Sequence, residues 1–435
     1  AHIDRVLNVL RPVLTRRSIR MFGTYLDQNS LINAGIGPRL GIGPESEIGV
    51  LRPNRVFEDS LETEIAGLRV HLQHAPGETD DQIMVWLPDS GVLLPGDNLY
   101  KAFPNLYTIR GTAYRDVRAW VDSLDRMREL NPEHLVPSHT APLSGSQAVQ
   151  RVLTDYRDAI QFVHDQTIRG MNQGLTADEL AHRIRLPAHL ASSPWLKEFY
   201  GTVPWSVRSV FSGHLGWFDG NPTNLFSLPP RDEATRWAEL AGGYEALLAA
   251  AETALARNQY QWVLELTDRL LSLNPTDARP RNARVTALVA LGELQGNPNA
   301  RHYYLTMASE LGDGLTLGTV GVADAETLRG LPMAGFFRSL SVNLDAARSV
   351  DIEKSAVFTF PDTGEQWSVI VRRGIAEVRP DAGSNPDFRI TVDSLVWKAM
   401  LAGNRNPAMT VATDMEVEGG RVKFLEFLGL FQPPR

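Results

Sequence analysis

The sequence contains no cysteine. Disulfides, thiolate zinc sites and thiol nucleophiles are therefore excluded in any compartment. Long apolar runs are also missing. Ala246–Ala251 and Ile83–Leu87 fall far short of the roughly 18 residues that span a membrane. Positive charge is in deficit: 43 lysines and arginines stand against 51 aspartates and glutamates, a net charge of −8. That balance argues against nucleic acid as a partner and leaves room for a local basic pocket. The opening AHIDRVLNVLRPVL lacks both a basic leader and an apolar core, so no signal peptide is expected. A soluble protein is expected, and composition does not choose between the cytoplasm and a periplasmic or secreted location.

What is present is ordinary globular composition over 435 residues, with 43% hydrophobic and 22% charged residues, enough for several domains. The texture changes along the chain. Ile3, Val6, Leu7, Val9, Leu10, Val13 and Leu14 recur at helical spacing, and a glycine- and proline-rich loop, NAGIGPRLGIGPE, follows at 33–45. Short strand patterns (68–72, 83–87, 91–95, 135–137) then alternate with turns and with a helix at 115–130. The region 1–145 is thus expected to be a layered α/β domain. Residues 146–312 read as helices at 148–170, 177–185, 206–215, 235–257, 260–273 and 276–291, with Thr176 and Glu179 placed as a capping box. The stretch from Tyr244 to Gly292 resembles a helix-turn-helix repeat pair, which cannot bury its own apolar face and calls for a partner such as a second copy. A linker is expected at 313–328. A small α+β domain follows at 329–435, with helices at 339–350, 394–402 and 421–430 and strands at 355–360, 367–373 and 375–380.

Three chemistry-bearing residues sit at strand edges, where α/β folds collect their functional groups. Glu78 lies in HAPGETDDQ, Asp97 in LLPGDNLY and His139 in LVPSHTAP. Taken singly, each reads as an ordinary turn or surface residue. Taken together, two oxygen donors and one nitrogen donor suit zinc or a similar divalent ion.

These segments carry a resemblance. His74-Ala75-Pro76-Gly77-Glu78-Thr79, then Gly96-Asp97-Asn98-Leu99-Tyr100, then His139 followed by Pro142, resemble the second half of the metallo-β-lactamase superfamily signature. Glu78 stands where most of that superfamily carries His and the alkylsulfatases carry Glu. Phe103-Pro104-Asn105-Leu106-Tyr107-Thr108-Ile109-Arg110-Gly111 and Leu215-Gly216-Trp217-Phe218-Asp219-Gly220-Asn221-Pro222 are also similar to alkylsulfatases. The resemblance implies a partial metallo-β-lactamase-like domain with αβ/βα layers, an all-helical dimerisation domain and a C-terminal domain similar to sterol carrier protein. It implies a binuclear zinc hydrolase that cleaves alkyl sulfates to an alcohol and sulfate, acting as a homodimer. Glu78, Asp97 and His139 would be metal ligands, and Asn105 and Arg110 would bind the sulfate group. A guanidinium fork suits a tetrahedral oxyanion.

The chain departs from that pattern in places. Asp97 replaces the Glu usual in alkylsulfatases. The family's H-x-H-x-D-H motif is absent, and its expected place is upstream of residue 1. Trp205-Ser206 stands where His-Asn is frequent, and Trp217 where Tyr is common. Two other functions therefore compete: a non-catalytic lipid-binding or dimerisation scaffold, and a phosphate- or acyl-ester hydrolase of the same fold. Trp397, Met400, Leu401, Phe424, Phe427, Leu428 and Phe431 are expected to form a core, a cleft for an alkyl chain, or both.

Overall fold

The structure, a computed structural model, describes residues 9–38, 41, 46–49, 51, 53–318 and 322–431. Ile3, Val6 and Leu7 of the expected first helix, and part of the glycine-rich loop, lie outside the described residues. Within them Arg11–Phe22 is a helix, and it includes Val13 and Leu14 of the expected spacing. The chain divides into two compact units. One comprises residues 16–41 and 57–318, the other 1–15, 42–56 and 319–435.

The first unit is built on a six-stranded sheet in sequence order, Ser60–Ile65, Leu68–His74, Ile83–Leu87, Val92–Leu94, His134–Leu135 and Leu143–Ser144. All neighbours are antiparallel except Val92–Leu94 and His134–Leu135, which run parallel. The helix Val117–Glu129 makes that crossover, and the Asp116 side chain caps it by accepting from the Ala119 N–H. The register pairs His74 with Ile83 and Val85 with Leu94. The strand ends that lead to Glu78, Asp97 and His139 therefore lie along one edge of the sheet.

One face of the sheet is covered by helices. Leu93, Met84 and Ala75 share a core with Trp120, Val121 and Leu124, and with Val149, Tyr156, Ile160, Val207 and Val210. The helices Ser146–Asn172 and Val203–Leu215 thus belong to the same core as the strands, and the boundary expected at 145/146 is not a gap in packing. A second core lies in the helical array Pro230–Ala241, Tyr244–Ala256, Tyr260–Leu273, Ala278–Leu294 and Pro298–Gly312. The helix expected at 235–257 is broken there. Gly242 and Gly243 take φ of 96° and 115°, a region open mainly to glycine, so the chain turns between two helices. Thr176 and Glu179 form the expected capping box.

The second unit holds a five-stranded sheet in the order Ile375–Arg379, Glu365–Arg372, Glu353–Phe360, Phe388–Val392, Met415–Glu418. The last two strands were not expected from sequence. The helix expected at 339–350 is two, Met333–Val342 and Ala346–Ser349, with Asp345 capping the second. Trp397 and Phe424 are fully buried, and Met400 and Phe427 nearly so. Phe337 stacks on Trp367 at 4.9 Å and 8°. The apolar residues expected to form a core or a cleft form a packed aromatic core.

One buried side chain ties the loops of the site edge together. The Asn98 Oδ1 accepts from the Glu78 N–H at 3.1 Å, and its Nδ2 donates to the Ala75 carbonyl at 2.6 Å. Trp120 Nε1 donates to the Asn98 carbonyl at 3.0 Å, and Ser123 Oγ donates to the Pro76 carbonyl at 2.8 Å. A Cβ on Gly77 would lie 2.2 Å from the Asn98 Oδ1, so only glycine fits there. Asn98→Ala orphans two buried backbone groups, each worth about 1–3 kcal/mol. A urea melt should show that loss, and hydrogen exchange should show faster exchange at the Glu78 amide.

His302, on Pro298–Gly312, is fully buried and accepts from the Ile32 N–H at 3.4 Å. Burial lowers its pKa from 6.5 to about 4. Below pH 6.5 the unfolded chain binds a proton that the folded chain refuses until about pH 4. Stability should therefore fall as pH drops through that window. The melting temperature of His302→Gln should fall less steeply over the same range.

Candidate active site

The sheet edge brings some of the candidate residues together. Asp97 sits in the turn Gly96–Asn98, where Gly96 takes a φ of 60°, and His139 leaves the neighbouring parallel strand. The His139 Nε2 lies 3.4 Å from the Asp97 Oδ1, and both side chains are about two-fifths exposed. The loop of His139 is held from behind, since the Lys101 N–H donates to Thr140 Oγ1 at 2.9 Å. Two donors are fewer than the four that a tetrahedral zinc shell takes.

Glu78 is placed differently. It is 6% exposed, and its Oε1 accepts from Arg115 Nη1 at 2.9 Å. Burial pushes its carboxyl above the usual range. Arg115 opposes that shift, the Asp97 charge adds to it and Arg110 opposes it. The same Arg115 Nη1 also donates to the Asn105 carbonyl. Arg115 was read from sequence only as the start of a helix, and no motif singles it out. Its role appears once a loop and a helix start are folded against Glu78.

Asn105 is fully buried, and neither its Oδ1 nor its Nδ2 has a hydrogen-bond partner. Its backbone is fixed instead: the N–H donates to the Tyr100 hydroxyl at 2.7 Å. Arg110 Nη1 donates to Thr108 Oγ1 at 3.1 Å and to the Tyr200 hydroxyl at 3.3 Å, which orients the guanidinium through one nitrogen. Tyr100 and Tyr200 pack edge to face at 5.7 Å, and Tyr100 makes the same kind of contact with His139 at 6.4 Å. Burial raises the phenol pKa of both tyrosines, so they stay protonated while their hydroxyl oxygens accept these hydrogen bonds. Gly201 lets the 199–201 segment close on the Asn105 loop, since a Cβ there would lie 2.0 Å from the Pro104 carbonyl. The tyrosines were not singled out in the sequence, because a lone Tyr in an apolar stretch reads as core.

The donor set suits zinc in chemistry, with two carboxylates and an imidazole. It does not suit zinc in arrangement. Asp97 and His139 meet, Glu78 is engaged by Arg115, and among the described residues no group of three or more His, Asp or Glu side chains is arranged to hold a metal. What the edge offers is a buried amide with unspent hydrogen-bonding capacity, an oriented guanidinium and a histidine–carboxylate pair.

Three family descriptions match the chain: the metallo-beta-lactamase superfamily over 17–139, alkyl sulfatase dimerisation over 176–314 and alkyl sulfatase C-terminal over 322–435. The sequence is 36% identical to a linear primary-alkylsulfatase of Pseudomonas sp. (strain ATCC 19151), covering 98% of this chain and 82% of that protein. It is 28% identical to an alkyl/aryl-sulfatase of Saccharomyces cerevisiae over 96% of this chain and 65% of that one. It is also 30% identical to an (R)-specific secondary-alkylsulfatase of Pseudomonas sp., over 79% of this chain and 52% of that protein. A solved inverting sec-alkylsulfatase from Pseudomonas sp. superposes with a TM-score of 0.89, covering 100% of this chain and 70% of that one, and at 24% identity this speaks for the fold alone. By these likenesses the chain belongs to the alkylsulfatase family, sulfuric ester hydrolases of the metallo-β-lactamase fold.

Proposed function

We propose that the sheet edge binds the sulfate group of an alkyl sulfate, with Asn105 and Arg110 as the anion contacts. The supporting observation is the Asn105 amide, fully buried with both polar atoms unpartnered, on the loop that also carries Arg110. An unspent buried amide costs about 1–3 kcal/mol for each polar group, which a bound oxyanion can recover in part. Arg110 supplies the charge, oriented by Thr108 and Tyr200. The reaction is hydrolysis of the ester to an alcohol and inorganic sulfate.

Glu78, Asp97 and His139 are proposed as zinc ligands, in a centre of two ions once further donors complete the shell. Three donors fall short of two metal shells, and Glu78 must share its carboxylate with Arg115. Zinc, when bound, supplies a Lewis acid and an activated water. The residues of this chain hold the anion and orient it. Zinc content tests the ligand reading: a stoichiometric amount in the purified protein supports it, and none removes it.

The helical region 146–312 is proposed as the homodimer interface, with 1–145 as the catalytic domain, 313–328 as a linker and 329–435 as a domain similar to sterol carrier protein. The support is exposed apolar surface: Trp217 is 74%, Phe226 95% and Leu240 84% exposed, and the Trp237 and Trp262 rings lie 6.4 Å apart with both partly open. A stable dimer buries more than about 1,200 Å². Light scattering at micromolar concentration should give twice the chain mass, and a strictly monomeric mass refutes the interface.

Arg110→Lys keeps the charge and loses the planar fork. A lost charge-assisted hydrogen bond is worth about 1.5–3 kcal/mol, so kcat/KM toward an alkyl sulfate should fall about ten- to hundredfold. Asn105→Ala should cost less. Inorganic sulfate should inhibit the wild type and inhibit the Arg110→Lys enzyme poorly. Unchanged kinetics and unchanged sulfate inhibition in Arg110→Lys remove Arg110 from the site.

A further inference from the structure

Three hydroxyls hold the loop that carries Asn105 and Arg110, and they are spent differently. The Tyr100 oxygen accepts from the Asn105 N–H, and its fully buried ring packs edge to face on Tyr156 at 6.2 Å. The Thr108 oxygen accepts from Arg110 Nη1, while its hydrogen goes to the Met21 Sδ at 3.3 Å. The Tyr200 oxygen also accepts from Arg110 Nη1, at 3.3 Å, but among the described residues its own hydrogen has no acceptor. A phenol hydroxyl is both donor and acceptor. With its oxygen turned toward a guanidinium that can only donate, its hydrogen has to lie on the other side. Tyr200 is 4% exposed and firmly held. Its carbonyl accepts from Asn297 Nδ2 at 3.3 Å, and the neighbouring Gly201 N–H donates to the Phe103 carbonyl at 3.1 Å. Tyr200 also joins the two proposed anion contacts, because it bonds Arg110 while Gly201 closes on the Asn105 loop.

We propose that the Tyr200 hydroxyl is a third hydrogen-bond donor to the sulfate group of the substrate, beside Arg110 and the Asn105 amide. The inference rests on the reading of Arg110 and Asn105 as the anion contacts. A sulfate ester presents three terminal oxygens, and a guanidinium fork meets two of them, so a further donor has an oxygen to serve. A hydrogen bond to a charged oxygen is stronger than one between neutral groups, and it recovers the cost of burying an O–H without a partner. The bond from Arg110 polarises the phenol and makes its O–H a better donor. Because packing and backbone bonds fix the ring before the ligand arrives, little ordering cost is left for binding. Tyr200 is then a substrate-binding residue as well as a prop for Arg110.

The test measures binding of inorganic sulfate to the full chain by calorimetry, together with kcat/KM toward an alkyl sulfate. Tyr200→Phe keeps the ring against Tyr100 and removes only the hydroxyl, and its melting temperature checks that it folds. It should weaken sulfate binding about tenfold, with kcat/KM falling by a similar factor. Thr108→Val is the comparison for orientation alone. It removes the other acceptor of Arg110 Nη1, and its hydroxyl hydrogen is already spent on Met21, so it should cost no more than about twofold. If Thr108→Val and Tyr200→Phe weaken sulfate equally, Tyr200 only positions Arg110 and the proposal is refuted. It is refuted as well if Tyr200→Phe binds sulfate like the wild type, whatever its kcat/KM. Arg110→Lys and Asn105→Ala are the controls for the underlying reading. If both bind sulfate as tightly as the wild type, or the wild type itself binds none, the anion contacts are misassigned and the inference falls with them. If both lose sulfate while Tyr200→Phe keeps it, the anion reading stands and Tyr200 alone is removed.

Discussion

A carboxylate removed from water has to be met by positive charge or hydrogen bonds, and Glu78 imposes that constraint on the whole sheet edge. Its N–H is taken by Asn98 and its Oε1 by Arg115. Asn98 in turn is held by Trp120, whose helix makes the one parallel crossover of the sheet. The loop after Leu68–His74, the turn after Val92–Leu94 and the start of Val117–Glu129 are thereby locked into one arrangement. Loosening any of them leaves a buried polar group without its partner.

The anion side proposed for this edge is built on the same elements by a different device. Asn105 is fixed through its backbone, by Tyr100 on one side and Arg115 on the other, while its side-chain amide is left unspent. Arg110 is oriented through one nitrogen and keeps the rest of its guanidinium uncommitted to Thr108 or Tyr200. Rigid backbone with unspent side-chain donors is the arrangement expected of a seat for an oxyanion, since ordering costs are met before the ligand arrives. Tyr100, which touches Asn105 by hydrogen bond and His139 by ring edge, links the two halves of the edge.

The fold was legible where local signals were strong and isolated. The Thr176–Glu179 box follows from its cap residues, and the helix expected at 115–130 and the strands expected at 68–72, 83–87 and 355–360 follow from spacing, the structure placing them at Val117–Glu129, Leu68–His74, Ile83–Leu87 and Glu353–Phe360. It was misread where apolar spacing continues through a break. Leucines and alanines run on both sides of Gly242-Gly243, and only the positive φ of the two glycines ends the first helix. Phe388–Val392 and Met415–Glu418 were missed because a short strand flanked by other apolar segments has no periodicity of its own. Each is a strand because it pairs with a neighbour, one parallel to Glu353–Phe360 and the other at the sheet's edge.

By itself the sequence determined which chemistry was possible. Without cysteine, thiolate ligands and thiol nucleophiles are excluded, and the ordered motifs around Glu78, Asp97, Asn105, Arg110 and His139 named the family and the side chains to look for. Tertiary structure alone decided how those side chains are spent. It set Asp97 against His139, turned Glu78 toward Arg115 and left the Asn105 amide unpartnered. The reason is that pairing inside a protein is a matter of burial and direction. Arg115 lies 37 residues from Glu78 in the chain, and no local pattern records that folding removes both from water and leaves each as the other's partner.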